Sequence, residues 1–249
     1  MDVKEITSYL DKYLQIHTIT DYGPQGLQVE ADNPVVNRIA LTVDTAPDII
    51  LAAAEWHADM LLVHHGIFWR QVEPISGPLG RRVRLLLHNN IHLYAAHLAL
   101  DAHPVVGNNV VLARMIGLEN IDWWCEVMGT KIGVIGEINK LLSDIQLLLD
   151  DGLQTNVRVL NYGSDRVRNL AIVSGFGADR VAEAKEMGAD TLLTGETSHA
   201  NFYAAADYGM NVIFAGHYAT ETVGVRALGD HLVDKFQVET HFFDFPTAM

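Results

Sequence analysis

The chain predicts an α/β fold: two related three-layer α/β/α domains, each grown from a duplicated βαβ unit. Three observations carry that prediction. The first is a gapless repeat, RIALTVDTAPDIILAAAEWHADMLLVHHG from Arg38 to Gly66 and NLAIVSGFGADRVAEAKEMGADTLLTGET from Asn169 to Thr197. The second is that each copy opens and closes on a short, continuous apolar run, as expected of parallel strands covered on both faces. The third is a His-x-x-x-carboxylate element that follows a further apolar strand in each half, His97 to Asp101 and His217 to Glu221.

In the first copy, Ile39–Val43 reads as a strand. Thr45 is placed to cap the following helix and Pro47 suits its first turn. Ile49, Ile50, Ala53, Ala54 and His57 recur at helical spacing. Ala58-Asp59 then leads into a second strand, Met60–Val63, which ends on His64-His65-Gly66. Each half continues with a helix (Arg81–Asn89; Ala200–Tyr208), a strand (Ile91–Ala96; Asn211–Gly216) and its histidine–carboxylate element. The offset between halves falls from 131 residues in the repeat to 120 at these elements, so the first half carries about eleven extra residues, assigned to Ile67–Gly80. Irregular sequence directly after a histidine pair reads as an active-site loop. Asn108–Leu118 reads as a helix closing the first half, and Asp122-Trp123-Trp124-Cys125 as the crossover. Lys131–Ile135 opens a new strand, and Val238–Phe245 is a strand that can pair with either half. The expected division is residues 1–124, carrying His64, His65 and Asp101, and residues 125–249, carrying His217 and Glu221. The two halves are expected to meet at one shared site.

With 249 residues and 49% hydrophobic content, the chain can bury a substantial core. A net charge of −14 argues against a nucleic-acid partner and for a small-molecule or protein partner. The single cysteine, Cys125, cannot form an intrachain disulfide and is expected to be a buried thiol. Met1-Asp2-Val3-Lys4-Glu5 lacks the pattern of a secretory signal, and no apolar run approaches membrane-span length. The expectation is a soluble, cytoplasmic protein that does not engage a membrane.

Ligands of α/β sheets gather at the carboxyl ends of parallel strands, where His64, His65, His97 and His217 all fall. Neighbouring side chains on an extended strand point to opposite sides. His64 and His65 therefore either share one ion through a turn at Gly66 or serve two ions, and the second reading is preferred. Asp101 and Glu221 add carboxylates, one of which can bridge. Imidazole with carboxylate suits Zn, Mn, Fe or Ni, and the lack of cysteine ligands disfavours a closed structural zinc. Two such ions about 3.5–4 Å apart can activate water and polarise a substrate oxygen. His17, His57, His88, His92, His231 and His241 are read as structural, with His103 and His199 intermediate. Gly195-Glu196 aligns with His64-His65, so the second half has lost the pair, which points to one composite site. Gly175-Phe176-Gly177 reads as a tight turn, because Arg180 stands where a dinucleotide fingerprint needs its third glycine. Phe68-Trp69-Arg70 either stacks a base and holds a phosphate or packs under its loop. No Gly-x-Ser-x-Gly elbow or Walker A loop is present.

Four segments then acquire a common meaning: Asp21-Tyr22-Gly23-Pro24-Gln25-Gly26-Leu27-Gln28-Val29, Val63-His64-His65-Gly66, His97-Leu98-Ala99-Leu100-Asp101-Ala102-His103-Pro104 and Ala215-Gly216-His217-Tyr218-Ala219-Thr220-Glu221. With them the chain resembles the YbgI/Nif-three-like family, the GTP cyclohydrolase 1 type 2 homologues. The resemblance implies a Nif-three-like fold, a toroidal homohexamer and a dinuclear centre with two divalent metal ions per subunit. By motif, His65, Asp101 and Glu221 would hold one ion, and His64, His217 and again Glu221 the other. His97 would line the site as the catalytic proton shuttle or an outer residue. The function expected is a metal-dependent hydrolase acting on a nucleotide or related small molecule. The alternative is a non-enzymatic metal-handling or ligand-binding scaffold working through protein partners.

Overall fold

The computed structural model describes residues 1–69 and 73–247. Chain order begins with α1 (Val3–Tyr13), β1 (Gly26–Val29), β2 (Arg38–Thr42), α2 (Pro47–Glu55), β3 (Met60–Val63), α3 (Gly77–His88), β4 (His92–Ala95) and the single turn α4 (Leu98–Asp101). It continues with α5 (Asn108–Ile116), β5 (Glu119–Val127), β6 (Thr130–Leu141), α6 (Leu142–Leu153), β7 (Arg158–Asn161) and β8 (Arg166–Phe176). The last elements are α7 (Val181–Glu186), β9 (Thr191–Glu196), α8 (Ala204–Tyr208), β10 (Asn211–Phe214), α9 (His217–Phe236) and β11 (Glu239–Phe242).

One sheet runs β1-β4-β3-β2-β11 and the other β5-β6-β8-β9-β10-β7. At the centre of each stand the strands of the repeat, parallel and in equivalent register. Ile39 pairs with Met60 in the first sheet and Leu170 with Thr191 in the second. β3, β4 and all but the last residue of β10 are buried, which is why these strands read as unbroken apolar runs. The duplication reaches further than the sequence repeat, because an antiparallel strand flanks each trio: β1 beside β4, and β7 beside β10.

The repeated Ala-Asp has a structural cause. The Asp59 carboxylate accepts from the backbone N–H groups of Asn37 and Arg38 at 2.7 and 2.9 Å, stapling the start of β2 to the start of β3. Asp190 does the same for Arg168 and Asn169 at 2.8 and 3.2 Å. Such charge-assisted bonds fix strand register where no side-chain packing can.

Several expectations need correction. Compact packing does not divide the chain at residue 124: Met1–Leu100 and Val225–Phe245 form one unit, and Asp101–Gly224 the body of the other. Asp122-Trp123-Trp124-Cys125 is no crossover but part of β5, which hairpins onto β6. Buried Trp124 donates from Nε1 to the Val134 carbonyl at 2.8 Å. The terminal strand β11 pairs in parallel with β2, so the chain end returns to the first unit. Ala46, not Thr45, precedes α2 as its cap, and the Thr45 hydroxyl instead donates to the His65 carbonyl at 2.9 Å. The helix expected from Ala200 is broken, a 3-10 turn at His199–Asn201 preceding α8. Cys125 is buried as expected, and burial pushes its thiol up to about 12.

The histidine–carboxylate elements are also not strict counterparts. Val63 pairs with Ala95, and its repeat partner Thr194 pairs with Phe214. Measured from those pairs, His217 stands one residue further along than His97. The extra residue is Gly216, whose φ of 90° lies in the left-handed region that suits glycine.

Candidate metal centre

In the first unit, β3 ends on a turn. The N–H groups of His64 and His65 both donate to the Val43 carbonyl, at 3.1 and 2.7 Å. The backbone therefore leaves the extended geometry that would send the two rings to opposite sides, and their centroids lie 4.8 Å apart. His97, between β4 and α4, joins them, and ligand atoms of His64, His65 and His97 lie within 4.8 Å of one another.

The orientation of each ring is set from behind. His64 is fully buried and its Nδ1 lies 2.9 Å from the Ala96 carbonyl, which can only accept, so Nδ1 carries the proton. His65 Nδ1 lies 2.8 Å from Asp44 Oδ1, and His97 Nδ1 lies 2.8 Å from Asp21 Oδ1. Asp21 is itself held by the backbone N–H groups of Tyr22 and Leu98, at 2.5 and 2.8 Å. With Nδ1 engaged by a carbonyl or carboxylate, Nε2 is the nitrogen suited to a cation.

The second unit builds its donors around the carboxyl end of β8. His217 opens α9 and Glu221 follows one helical turn later, which puts both on one face. Glu221 Oε1 lies 3.1 Å from His217 Nε2, and Glu196 Oε1 lies 2.8 Å from His217 Nδ1. Burial alone would lower the basicity of His217, but its bonds to Glu221 and Glu196 and their charges outweigh that and raise it to about 9. Asp101, 4% exposed, accepts from Asn108 Nδ2 at 2.8 Å and from Ser174 Oγ at 3.2 Å. Asn108 Oδ1 also accepts from the Gly224 N–H of α9 at 2.8 Å, so one buried amide braces both carboxylate-bearing elements.

Gly175 follows Ser174 with φ of +63°, and a Cβ there would lie 2.5 Å from Glu221 Oε1 and 3.2 Å from His217 Nε2. Within the Gly175-Phe176-Gly177 turn it is therefore Gly175 that leaves room for this pair, whereas Gly177 is held close by Val173 and Thr194. In the repeat Gly175 stands where the first unit has Asp44, and Glu196 where it has His65. The acid that props an imidazole has changed places between the two copies.

Other histidines sort by their partners. His92 is buried, accepting from Ala31 N–H at 3.0 Å and bonded to the Asn33 carbonyl at 2.6 Å. His103 Nδ1 accepts from the N–H groups of Val105 and Val106, a loop brace. His231 bonds the Tyr9 hydroxyl at 2.6 Å, and His199 is exposed. Phe68 packs against the core of the first unit, whereas Trp69 stays 39% exposed with its ring 5.1 Å from His97. Arg70 lies outside the described residues. Sequence reasoning missed Asp44 and gave Asp21 and Glu196 no role in the site, although both lie in segments it singled out. What distinguishes these acids is a long-range hydrogen bond, which has no local pattern.

The profile of the family described as Duf34/NIF3 (NGG1p interacting factor 3) matches residues 1–248. The chain belongs to the DUF34/NIF3 family. Among its curated DUF34/NIF3 relatives, a GTP cyclohydrolase 1 type 2 homolog of Pyrococcus abyssi is 44% identical, with 100% of both chains covered. A protein of the same name from Deinococcus radiodurans is 42% identical over 98% of this chain and 94% of its own. Among solved structures, TTHA1606 from Thermus thermophilus superposes with a TM-score of 0.91 at 39% identity, over 100% of both chains. The protein ybgI, described as of unknown function, also gives 0.91, at 32% identity and the same coverage. This chain is thus a mixed α/β DUF34/NIF3 protein with histidine and glutamate groups able to hold metal. Among the described residues, no helix is long and apolar enough to cross a membrane.

Proposed function

We propose that this DUF34/NIF3 protein binds two divalent ions through His64, His65, Asp101, His217 and Glu221 and hydrolyses a nucleotide or related small molecule. One observation carries the reading: four imidazoles, His64, His65, His97 and His217, each have Nδ1 engaged by a carbonyl or carboxylate at 2.8 to 2.9 Å. That arrangement selects one tautomer and raises ligand basicity, as it does at metal sites generally. Zn, Mn, Fe or Ni suits this nitrogen and oxygen donor set. Bound ions supply Lewis acidity toward water and a substrate oxygen. The chain's own contribution is to hold the rings rigid, through Asp44, Glu196 and the Ala96 carbonyl. His97, backed by Asp21, is assigned to carry a proton at Nε2. The name shared by the curated relatives, GTP cyclohydrolase 1 type 2 homolog, favours a nucleotide as the substrate class.

The test is metal content by elemental analysis, followed by a hydrolysis screen of the metal-loaded protein against nucleotides, damaged nucleotides, and small amides and esters. Turnover that His65→Ala and Glu221→Ala both abolish supports the reading; metal-loaded protein without turnover refutes the hydrolase. The family description as an interacting factor favours a second reading, a metal-handling scaffold in the cytoplasm that acts through a protein partner. Exchangeable metal, absent turnover and a stable partner on pull-down would select it. Both readings include a homohexamer, which native mass spectrometry would show as six subunits.

A further inference from the structure

We infer that Ser174 is a positioning residue for Asp101: with the Asn108 amide, its hydroxyl occupies one carboxylate oxygen and so presents Asp101 to a cation through the other. This deepens the metal-binding part of the reading above and rests on it.

All the groups concerned belong to the second unit. Asp101 Oδ1 accepts two hydrogens, from Asn108 Nδ2 at 2.8 Å and from Ser174 Oγ at 3.2 Å. Neither donor turns away readily. Asn108 is wholly buried, and its Oδ1 accepts from the Gly224 N–H at 2.8 Å. A backbone N–H can only donate, which fixes the amide the way round that aims Nδ2 at Asp101. Glycine at 224 admits this contact, since a Cβ there would lie 2.5 Å from Asn108 Oδ1. Ser174 is held by the next residue of α5. Its N–H donates to Asn109 Oδ1 at 2.7 Å, and Asn109 Nδ2 donates to the Ile132 carbonyl of β6 at 2.8 Å. Both asparagines open α5, where such side chains favour local backbone bonds. Both are instead fully buried and tie α5 to β6, β8 and α9.

A buried network of this kind is rigid, and a cation arriving at Oδ1 would strip a buried hydroxyl and a buried amide of their acceptor. Oδ2 is therefore the oxygen through which Asp101 meets a cation, as a ligand of one oxygen. Such a carboxylate suits small transition ions, whereas Ca²⁺ gathers more oxygens, in part from carboxylates that offer two. The repeat shows that the hydroxyl is particular to this copy. Ser174 aligns with Val43, whose side chain has no donor. In the first unit it is the Val43 carbonyl that holds the His64 and His65 N–H groups. The same strand position thus steadies candidate ligands in both units, by backbone in one and by hydroxyl in the other.

Cobalt(II), whose visible absorption reports the number and geometry of its ligands, is titrated into the metal-free full chain as wild type, Ser174→Ala, Ser174→Thr and Thr191→Val. Circular dichroism checks that each is folded. Thr191→Val is the structural control: the Thr191 hydroxyl is buried and donates to the Asp190 carboxylate at 2.9 Å, at the opposite end of the same sheet. Ser174→Ala should bind cobalt about tenfold or more weakly, and its visible band should change in intensity as Asp101 turns both oxygens to the ion. Ser174→Thr should restore both properties, and Thr191→Val should match wild type. Wild-type affinity and spectrum in Ser174→Ala would overturn the positioning role. So would an equal loss in Thr191→Val, or a folded Ser174→Thr that binds no better than Ser174→Ala. Wild type that takes up no cobalt would sink the metal reading itself, and the inference with it. Neither readout uses turnover, so failure of the hydrolase alone leaves the inference standing.

Discussion

Replacing Gly175 by alanine separates the position of Glu221 from the stability of the fold. The added Cβ falls 2.5 Å from Glu221 Oε1, so the carboxylate must retreat by roughly 1 Å to reach ordinary contact. Glu221 is 4% exposed and cannot swing into solvent, yet its carboxylate is the far end of a flexible side chain and yields before backbone does. At φ of +63° a non-glycine residue costs about 1 kcal/mol. Loss of the 3.1 Å bond to His217 adds about 1–2 kcal/mol. The expected sum is about 2–3 kcal/mol of stability, read by urea denaturation of the metal-free protein. Metal affinity should fall further, tenfold or more, because a ligand oxygen displaced by 1 Å no longer serves its ion. Gly209→Ala is the control, with φ of +58° and nothing within 4 Å of its Cβ; it should show the backbone cost alone. NMR should also show the His217 ring in Gly175→Ala titrating well below its wild-type value. If Gly175→Ala matches Gly209→Ala in stability and keeps wild-type metal affinity, the assignment of Gly175 as the residue that clears space for Glu221 is wrong.

Other outcomes follow from the same geometry. His217 is raised from 6.5 to about 9 in the folded chain, so its stabilising contribution is complete below pH 6.5 and disappears as pH rises through 9. Metal-free protein should therefore lose about 2 kcal/mol across that window, and His217→Gln should flatten the profile in thermal melts. A cation must displace that proton, so calorimetry at pH 7.5 in buffers of different ionisation enthalpy should report proton release, absent in His217→Gln. Asp59→Ala and Asp190→Ala each strip two backbone N–H groups of their acceptor and should cost about 1–3 kcal/mol apiece in denaturant melts. Gly23→Ala drives a Cβ into the Phe68 backbone carbonyl, which cannot yield as a side chain can. It should raise amide exchange in segments 21–28 and 66–69, whereas unchanged exchange would refute the close approach.

The sequence alone determined the central strands, the helices between them, and the histidines and carboxylates at their ends. Burial on both faces forces unbroken apolar runs, and duplication wrote the same runs twice, so Met60–Val63 was legible to the residue. The staple formed by Asp59 and Asp190 was visible as a repeated Ala-Asp, but not as a staple. What the repeat could not reveal is where the pattern was edited. One glycine, Gly216, shifts His217 along its strand end, and Gly175 and Glu196 stand where Asp44 and His65 stand in the other copy. Tertiary structure also decided that His64 and His65 share a turn rather than diverge, because both N–H groups bond the Val43 carbonyl. It decided too that β11 closes onto β2, moving the unit boundary away from residue 124. Periodicity records which face of an element is buried. It says nothing of a hydrogen bond across 76 residues, such as the one that joins Asp21 to His97, and it is bonds of that kind that turn a set of histidines into oriented ligands.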